Sequence, residues 1–223
     1  MRRLVDTVNM TYHHGQLRDA LVDAALALAR ADGPEAVVLR AASREAGVSH
    51  NAGYRHFADR DALLRAVCER CMSALALLME QRLRAAAVSG EPATDAWERL
   101  VATGRAYVEF AVSEPGWFRT AFSVPLDLDL LGPGEGVGTG GLTPYELLGA
   151  ALDGLVAVGE ITPAQRVRAE YGAWSAVHGL ATLLVNGPLR ALPPDEREAA
   201  LEVVVGLVAR GLRAAPGPAP STG

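Results

Sequence analysis

Apolar residues recur along this chain at three- and four-residue steps, the spacing that gathers them on one face of a helix. Leu17, Leu21, Ala24, Ala25 and Leu28 form the first such stripe, with Arg18, Asp19, Asp23 and Arg30 largely between them. Gly33 followed by Pro34 predicts its end, because glycine takes the left-handed cap and proline cannot continue the helix. Short helices are predicted over residues 39–46 and 50–57. Asp59 then has the place of a cap for a long helix to about residue 88, whose apolar positions are Leu63, Leu64, Val67, Cys71, Leu75 and Leu78. Beyond the break "SGEPATD", helices are predicted over residues 95–112, from Pro115 past Phe122, and over 144–159, 163–185 and 194–212. The fold class is all-α.

One stretch departs from this period. In "VPLDLDLL", residues 124–131, Leu126, Leu128 and Leu130 alternate with Asp127 and Asp129 as in a strand, and Gly136, Gly138 and Gly141 follow. The combination imitates a dinucleotide fingerprint, but that fingerprint needs a parallel βαβ unit and no second buried strand follows. The glycines read instead as a loop. The ending "APGPAPSTG" reads as disordered.

Charge divides the chain. Residues 1–70 carry ten Arg against nine acidic residues, besides His13, His14, His50 and His56, whereas residues 71–223 carry eleven Arg against seventeen. An anionic partner is therefore expected at the front. There is no lysine, which excludes a phosphate-loop lysine and a lysine Schiff base. The first residues hold no continuous apolar stretch of the kind a secretory signal needs, and no apolar run reaches about 18 residues. With two cysteines and no disulfide framework, the cytoplasm is the expected compartment, with no membrane partner. Cys68 and Cys71 make a C-x-x-C inside a predicted helix, away from the N-terminus that would lower a thiol pKa, so packing fits them better than redox sensing. No further Cys or His stands near enough to complete a zinc site, and no metal or other cofactor is expected.

The front has a candidate chemistry. Residues 39–46, the turn Gly47-Val48-Ser49 and residues 50–57 have the lengths of a helix-turn-helix. Gly47 suits the left-handed turn, Val48 closes the space between the helices, and Ser49 caps the second by accepting from its free amides. His50, Asn51 and Gly53 stand at the N-terminal end, where a recognition helix meets base edges. Asn51 suits adenine, and Gly53 allows close approach or room for a thymine methyl. Tyr54, Arg55, His56 and Arg60 are candidate phosphate contacts, and Ser49 and Arg40 complete the DNA-facing set. Phe57 is expected inside.

"YHHGQLRDALVDAALALARADGPEAVVLRAASREAGVSHNAGYRHFADRDALLRAV", Tyr12 to Val67, resembles the DNA-binding domain of the TetR family of bacterial transcriptional regulators, and "GVS…YRHFADRDALL" carries the likeness. Ser43 stands where that family usually has alanine, Ala42 where a larger aliphatic is common, and Arg60 where lysine is more frequent. "WSAVHGLATLLVNG", Trp174 to Gly187, resembles the subgroup named for a Trp-His-Gly signature, here Trp174, His178 and Gly179. The resemblance implies a ligand-binding and dimerising helical domain behind the reading head. The expected organisation is a flexible arm (1–11), a DNA-binding domain (12–70), an effector-binding and dimerisation domain (71–213) and a disordered tail (214–223).

In the rear, Tyr107, Phe110, Trp117, Phe118 and Phe122 concentrate aromatic area, and Trp174 and His178 share a helix face at i and i+4. Two readings fit these seven residues: filling of the core, or an apolar pocket for a small-molecule effector. His178 fits a structural hydrogen bond as well as an effector contact. No nucleophile–base pair at diagnostic spacing points to catalysis, so no catalytic residue is assigned. As in the family, the last two long helices are expected to pair two subunits, through Ala173, Ala176, Ala181 and Leu184 on one and Ala200, Val203, Val204 and Leu207 on the other. Two-fold symmetry would then set two recognition helices about 34–36 Å apart, or further on spread half-sites. The expected function is a homodimeric regulator, foremost a repressor, that leaves a partly palindromic double-stranded operator when a small molecule binds. A DNA-binding regulator without an effector, and an enzyme using the aromatic pocket, are the alternatives.

Overall fold

A computed structural model describes residues 2–124 and 136–214, with side chains from Gln16 onward. The described residues are helical with connecting turns and contain no strand. The helices are α1 (Arg2–Asp32), α2 (Leu39–Glu45), α3 (His50–His56), α4 (Arg60–Ala85), α5 (Pro92–Ser113), α6 (Pro115–Ala121), α7 (Pro144–Ala157), α8 (Pro163–Arg166), α9 (Ala169–Val185) and α10 (Pro194–Arg213), with a 3₁₀ turn at Pro34–Ala36. Most of the strand-like stretch at 124–131, and the tail after Ala214, lie outside the described residues.

The chain divides into two compact units. The first runs through Met72 and takes α6 with it. The second begins at Ser73, gives up α6, and includes α7 to α10. Helix α4 belongs to both. In the first unit, Leu21, Val22, Ala25 and Ala29 of α1 meet Val37, Leu39 and Ala42 around α2, Phe57 after α3, and Leu63, Leu64, Val67, Cys68 and Cys71 of α4. In the second, α5 packs against α7, α9 and α10, and Trp97, Leu100, Leu152, Leu155 and Ile161 lie in one of its apolar clusters.

Local signals set several boundaries. Gly33 has φ +87° directly after α1. Asp59 caps α4, accepting from the Ala62 amide at 2.8 Å. Thr143 and Glu146 make a capping box at α7, and Thr162 and Gln165 make another at α8. Helix α1 extends back to Arg2; residues 2–12 contain neither glycine nor proline, so nothing local stops a helix there. One expectation needs correction. The single helix expected over 163–185 is broken between Arg166 and Ala169, with Arg168 left-handed at φ +63°. Arg166 donates to Asp153 at 2.7 Å and to the Gly149 carbonyl at 3.4 Å, both on α7, and to Glu170 at 2.5 Å. The break lets one guanidinium reach α7 and α9 together, a contact no periodicity encodes.

Candidate functional site

Helices α2 and α3 are joined by a complete Schellman turn. The Val48 amide donates to the Ser43 carbonyl at 2.9 Å, the Gly47 amide to the Arg44 carbonyl at 3.1 Å, and Gly47 sits at φ +69°. Ser49 then caps α3, accepting from the Ala52 amide at 3.3 Å. Phe57 is buried, with the Arg18 guanidinium 5.2 Å from its ring centroid. This packing fixes which face of α3 points outward.

Asn51, Tyr54 and Arg55 are exposed on α3, with Arg40 on α2 and Ser49 at the turn beside them. Arg44, which the sequence reading did not single out, is exposed on α2 as well. His50 and His56 are half-buried. The His50 ring meets Tyr54 edge-on at 4.6 Å, and its Nδ1 is buried with no hydrogen-bond partner. Arg60 is partly committed, since its Nη2 donates to the Pro34 carbonyl at 2.7 Å and ties α4 to the 3₁₀ turn. Gly53 departs from expectation. It is buried, and a Cβ there would collide with Ser43 Oγ and lie 3.5 Å from Leu39 Cδ1. Its missing side chain admits α2, not a base. The i, i+3 relation of Gly53 and His50 does not reveal this, because the orientation of α3 comes from the turn and Phe57.

The seven residues expected around an effector fall into two groups. Trp117, Phe118 and Phe122 belong to the first unit. Trp117 Nε1 donates to the Leu26 carbonyl of α1 at 2.9 Å, Phe118 is buried, and Phe122 lies 5.4 Å from the Phe118 ring. Arg30 lies over Trp117 and pairs with Glu114 at the start of α6. Gly116 lets α6 press on α1, where a Cβ would overlap the Ala29 and Arg30 carbonyls. These aromatics therefore hold α6 against α1, and the seven do not share one unit.

Tyr107, Phe110, Trp174 and His178 are in the second unit. Phe110 is buried on α5. Trp174 Nε1 donates to Tyr107 Oη at 3.2 Å, and Tyr107 Oη lies 2.7 Å from His178 Nδ1. Indole can only donate, so the phenol accepts from Trp174, while the direction of the Tyr107–His178 bond follows the histidine tautomer. Burial pulls the His178 pKa down, which favours the neutral ring, and pushes the Tyr107 phenol up. Tyr145, in the first turn of α7, meets the Trp174 edge with ring centroids 5.8 Å apart. The sequence reading missed Tyr145, whose position after Pro144 signals a helix start and not a direction. The cluster spans α5, α7 and α9. A separate open groove of about 520 Å³ on this unit has Val108, Leu184 and Leu201 in its lining and ion pairs such as Arg82–Glu109 at its edge, and none of the seven residues lines it.

Three features bear on chemistry and assembly. Cys68 and Cys71 are buried with their thiols pushed up by desolvation, and Cys68 Sγ donates to the Thr120 carbonyl at 3.0 Å, as a packing role requires. No metal-holding group of His, Cys, Asp or Glu occurs among the described residues, and no helix there is long and apolar enough to cross a membrane. On α9, Ala173, Ala181 and Leu184 are buried inside their own unit, which corrects the pairing face expected for this helix; its exposed face is Gly172, Ser175, Gly179, Thr182 and Leu183. On α10, Val203 and Leu207 are exposed as expected, at 59% and 57%.

Comparison with known proteins agrees with both units. Residues 21–67 match the model of bacterial regulatory proteins of the tetR family, and residues 100–208 match that of the tetracyclin repressor-like C-terminal domain. No curated protein matches. A solved protein of unknown function from Rhodococcus sp. RHA1 is 30% identical over 91% of this chain and 98% of its own, with a TM-score of 0.68. Two further structures share the fold at TM-scores of 0.59. One is a TetR variant from Acinetobacter baumannii AYE in complex with minocycline, 19% identical over 87% of this chain and 97% of its own. The other is RolR in complex with resorcinol, 16% identical over 95% and 100%. With its reading head, its helical second unit and matches to both family models, the chain belongs to the TetR family of bacterial transcriptional regulators, which are not enzymes.

Proposed function

We propose that this protein is a cytoplasmic homodimeric repressor that binds a partly palindromic operator and leaves it when a small organic molecule occupies the second unit. The observation that carries the proposal is the outward array on α3: Asn51, Tyr54 and Arg55 stand exposed beside Arg40, behind a glycine-hinged and Ser49-capped turn. Asn51 offers an amide suited to adenine, Tyr54 a hydroxyl for phosphate, and Arg55 and Arg40 guanidinium groups for the backbone. His50, His56 and Arg60 flank this array, and Gly53 serves it by letting α3 seat on α2.

Effector binding is assigned to the Tyr107–Trp174–His178 cluster with Tyr145 beside it. That apolar ring set with a few convergent polar atoms is what a small-molecule site needs, and minocycline and resorcinol in two structures of the same fold support an organic ligand with ring character. Helix α4 runs without interruption from the first unit into the second, a route by which ligand could reach the reading head. Swinging occupancy from 1:99 to 99:1 requires the ligand to favour one state by about 5.5 kcal/mol. Dimerisation is assigned to the exposed faces of α9 and α10.

Selection of binding sites from random DNA, followed by binding assays on the recovered site, tests the reading. Asn51→Ala should relax base preference at one position in each half-site. Arg55→Ala should weaken all sequences alike and reduce the salt slope by about 1. An unchanged preferred sequence in Asn51→Ala removes its base-reading role. Operator binding that persists with no thermal shift across a metabolite panel favours a regulator without an effector.

A further inference from the structure

Gly138 and Gly140 lie against a carboxylate that belongs to the chain itself. Glu80, in the second half of α4, is 6% exposed. Its oxygens accept from the Thr139 hydroxyl at 2.5 Å, the Gly140 amide at 2.8 Å and the Arg84 guanidinium at 3.5 Å. The loop is shaped around this group. A Cβ on Gly138 would overlap Glu80 Oε1, one on Gly140 would lie 3.1 Å from it, and Gly141 has φ +76°. The Gly138 amide donates to the Leu142 carbonyl at 3.0 Å and the Gly141 amide to the Gly138 carbonyl at 3.1 Å, which folds the loop back on itself. Directly after it, Thr143 caps α7, and Tyr145 in the first turn of α7 meets Trp174.

We propose that Glu80 is a positioning residue: its carboxylate latches the 136–141 loop and the start of α7 onto α4, setting the Tyr145–Trp174 side of the effector cluster and coupling that side to α4. The inference rests on the repressor reading for its functional half. Its structural half stands on the clasp alone.

The latch is charge-controlled. Among the described residues the loop presents a hydroxyl and an amide to the carboxylate, and Arg84 on α4 is a charged group paired with it, so the ionised form is the one bound. These hydrogen bonds, Thr139 first, hold the Glu80 pKa below the ordinary carboxylate range. The latch is therefore closed at neutral pH, and its stabilisation is lost as pH falls from the ordinary glutamate value of about 4.3 through the lowered one. An open latch leaves α4 and α7 to sample more arrangements, and operator binding must then select among them.

The experiment is hydrogen exchange over residues 136–147 of the full chain, corrected for intrinsic rates and taken across pH, together with operator affinity. Wild type should protect the Gly140 amide at neutral pH and lose that protection on acidification. Glu80→Gln should lack it at neutral pH, show a flat profile, keep its circular dichroism, and bind the operator five- to tenfold more weakly, within the usual range of coupling between sites. Thr139→Val, which removes a single donor, should give a smaller shift in the same direction and serves if Glu80→Gln fails to fold. Unchanged protection in both variants overturns the latch. Lost protection with unchanged operator affinity overturns the coupling. A wild type that binds no operator sinks the repressor reading and the coupling with it, while exchange at Gly140 still decides the latch.

Discussion

Ser43 and Gly53 show how narrow the tolerances are at a single contact in the reading head. Ser43 is 1% exposed and its Oγ has no hydrogen-bond partner, while the missing Cβ of Gly53 leaves room for that same oxygen. A buried hydroxyl left unpaired costs about 1–3 kcal/mol. Ser43→Ala, the residue usual in the family resemblance, should therefore raise Tm by about 2–4 °C for each kcal/mol recovered, measured by thermal unfolding. Gly53→Ala should lower Tm, and should do so less in the Ser43→Ala background because the colliding oxygen is gone; equal losses in both backgrounds would show that the contact is not what constrains position 53. The sequence marked Ser43 as a departure and Gly53 as special. It could not say that the two special features meet each other.

At the scale of elements, the hydrogen-bonded chain from Trp174 through Tyr107 to His178 ties α9 to α5. Burial lowers the His178 pKa, so the unfolded chain takes up a proton more readily than the folded one. Stability should be fully present above the unfolded histidine value of about 6.5 and decline as pH falls below it through the lowered folded value. Denaturant unfolding at pH 7.5 and pH 5.5 measures this, and His178→Asn should flatten the difference. A wild-type profile flat over that interval would mean the imidazole is not held neutral. Helix positions were legible because caps and breakers are local: Asp59, Gly47 with Ser49, Thr143 and Gly33 each act within a few residues. The break after Arg166 was not, since it follows from an arginine reaching α7.

For the whole molecule, the exposed apolar residues on the last two long helices argue for pairing. Leu183 on α9 and Val203 and Leu207 on α10 would leave unfavourable apolar surface in water without a partner. A two-fold contact repeats each residue, so Leu207→Glu places two like charges in one interface. Wild type should elute as a dimer in size-exclusion chromatography with light scattering. Leu207→Glu should shift it to monomer and weaken operator binding, because two linked reading heads gain from effective concentration. A monomeric wild type that still binds its operator tightly would overturn the dimeric reading.

The sequence by itself determined the helical class, the helix-turn-helix, its cap and hinge, and the family, because each of these depends on short-range periodicity, backbone preference and residues a few positions apart. Tertiary packing decided what distance along the chain conceals. It turned Gly53 inward against Ser43, moved α6 with its aromatics to the first unit, turned the small residues of α9 first read as its pairing face into the core, and wrapped the glycine loop around Glu80. Helical spacing shows which residues share a face. What that face meets depends on partners more than ninety residues away, as the Trp117 bond to the Leu26 carbonyl illustrates.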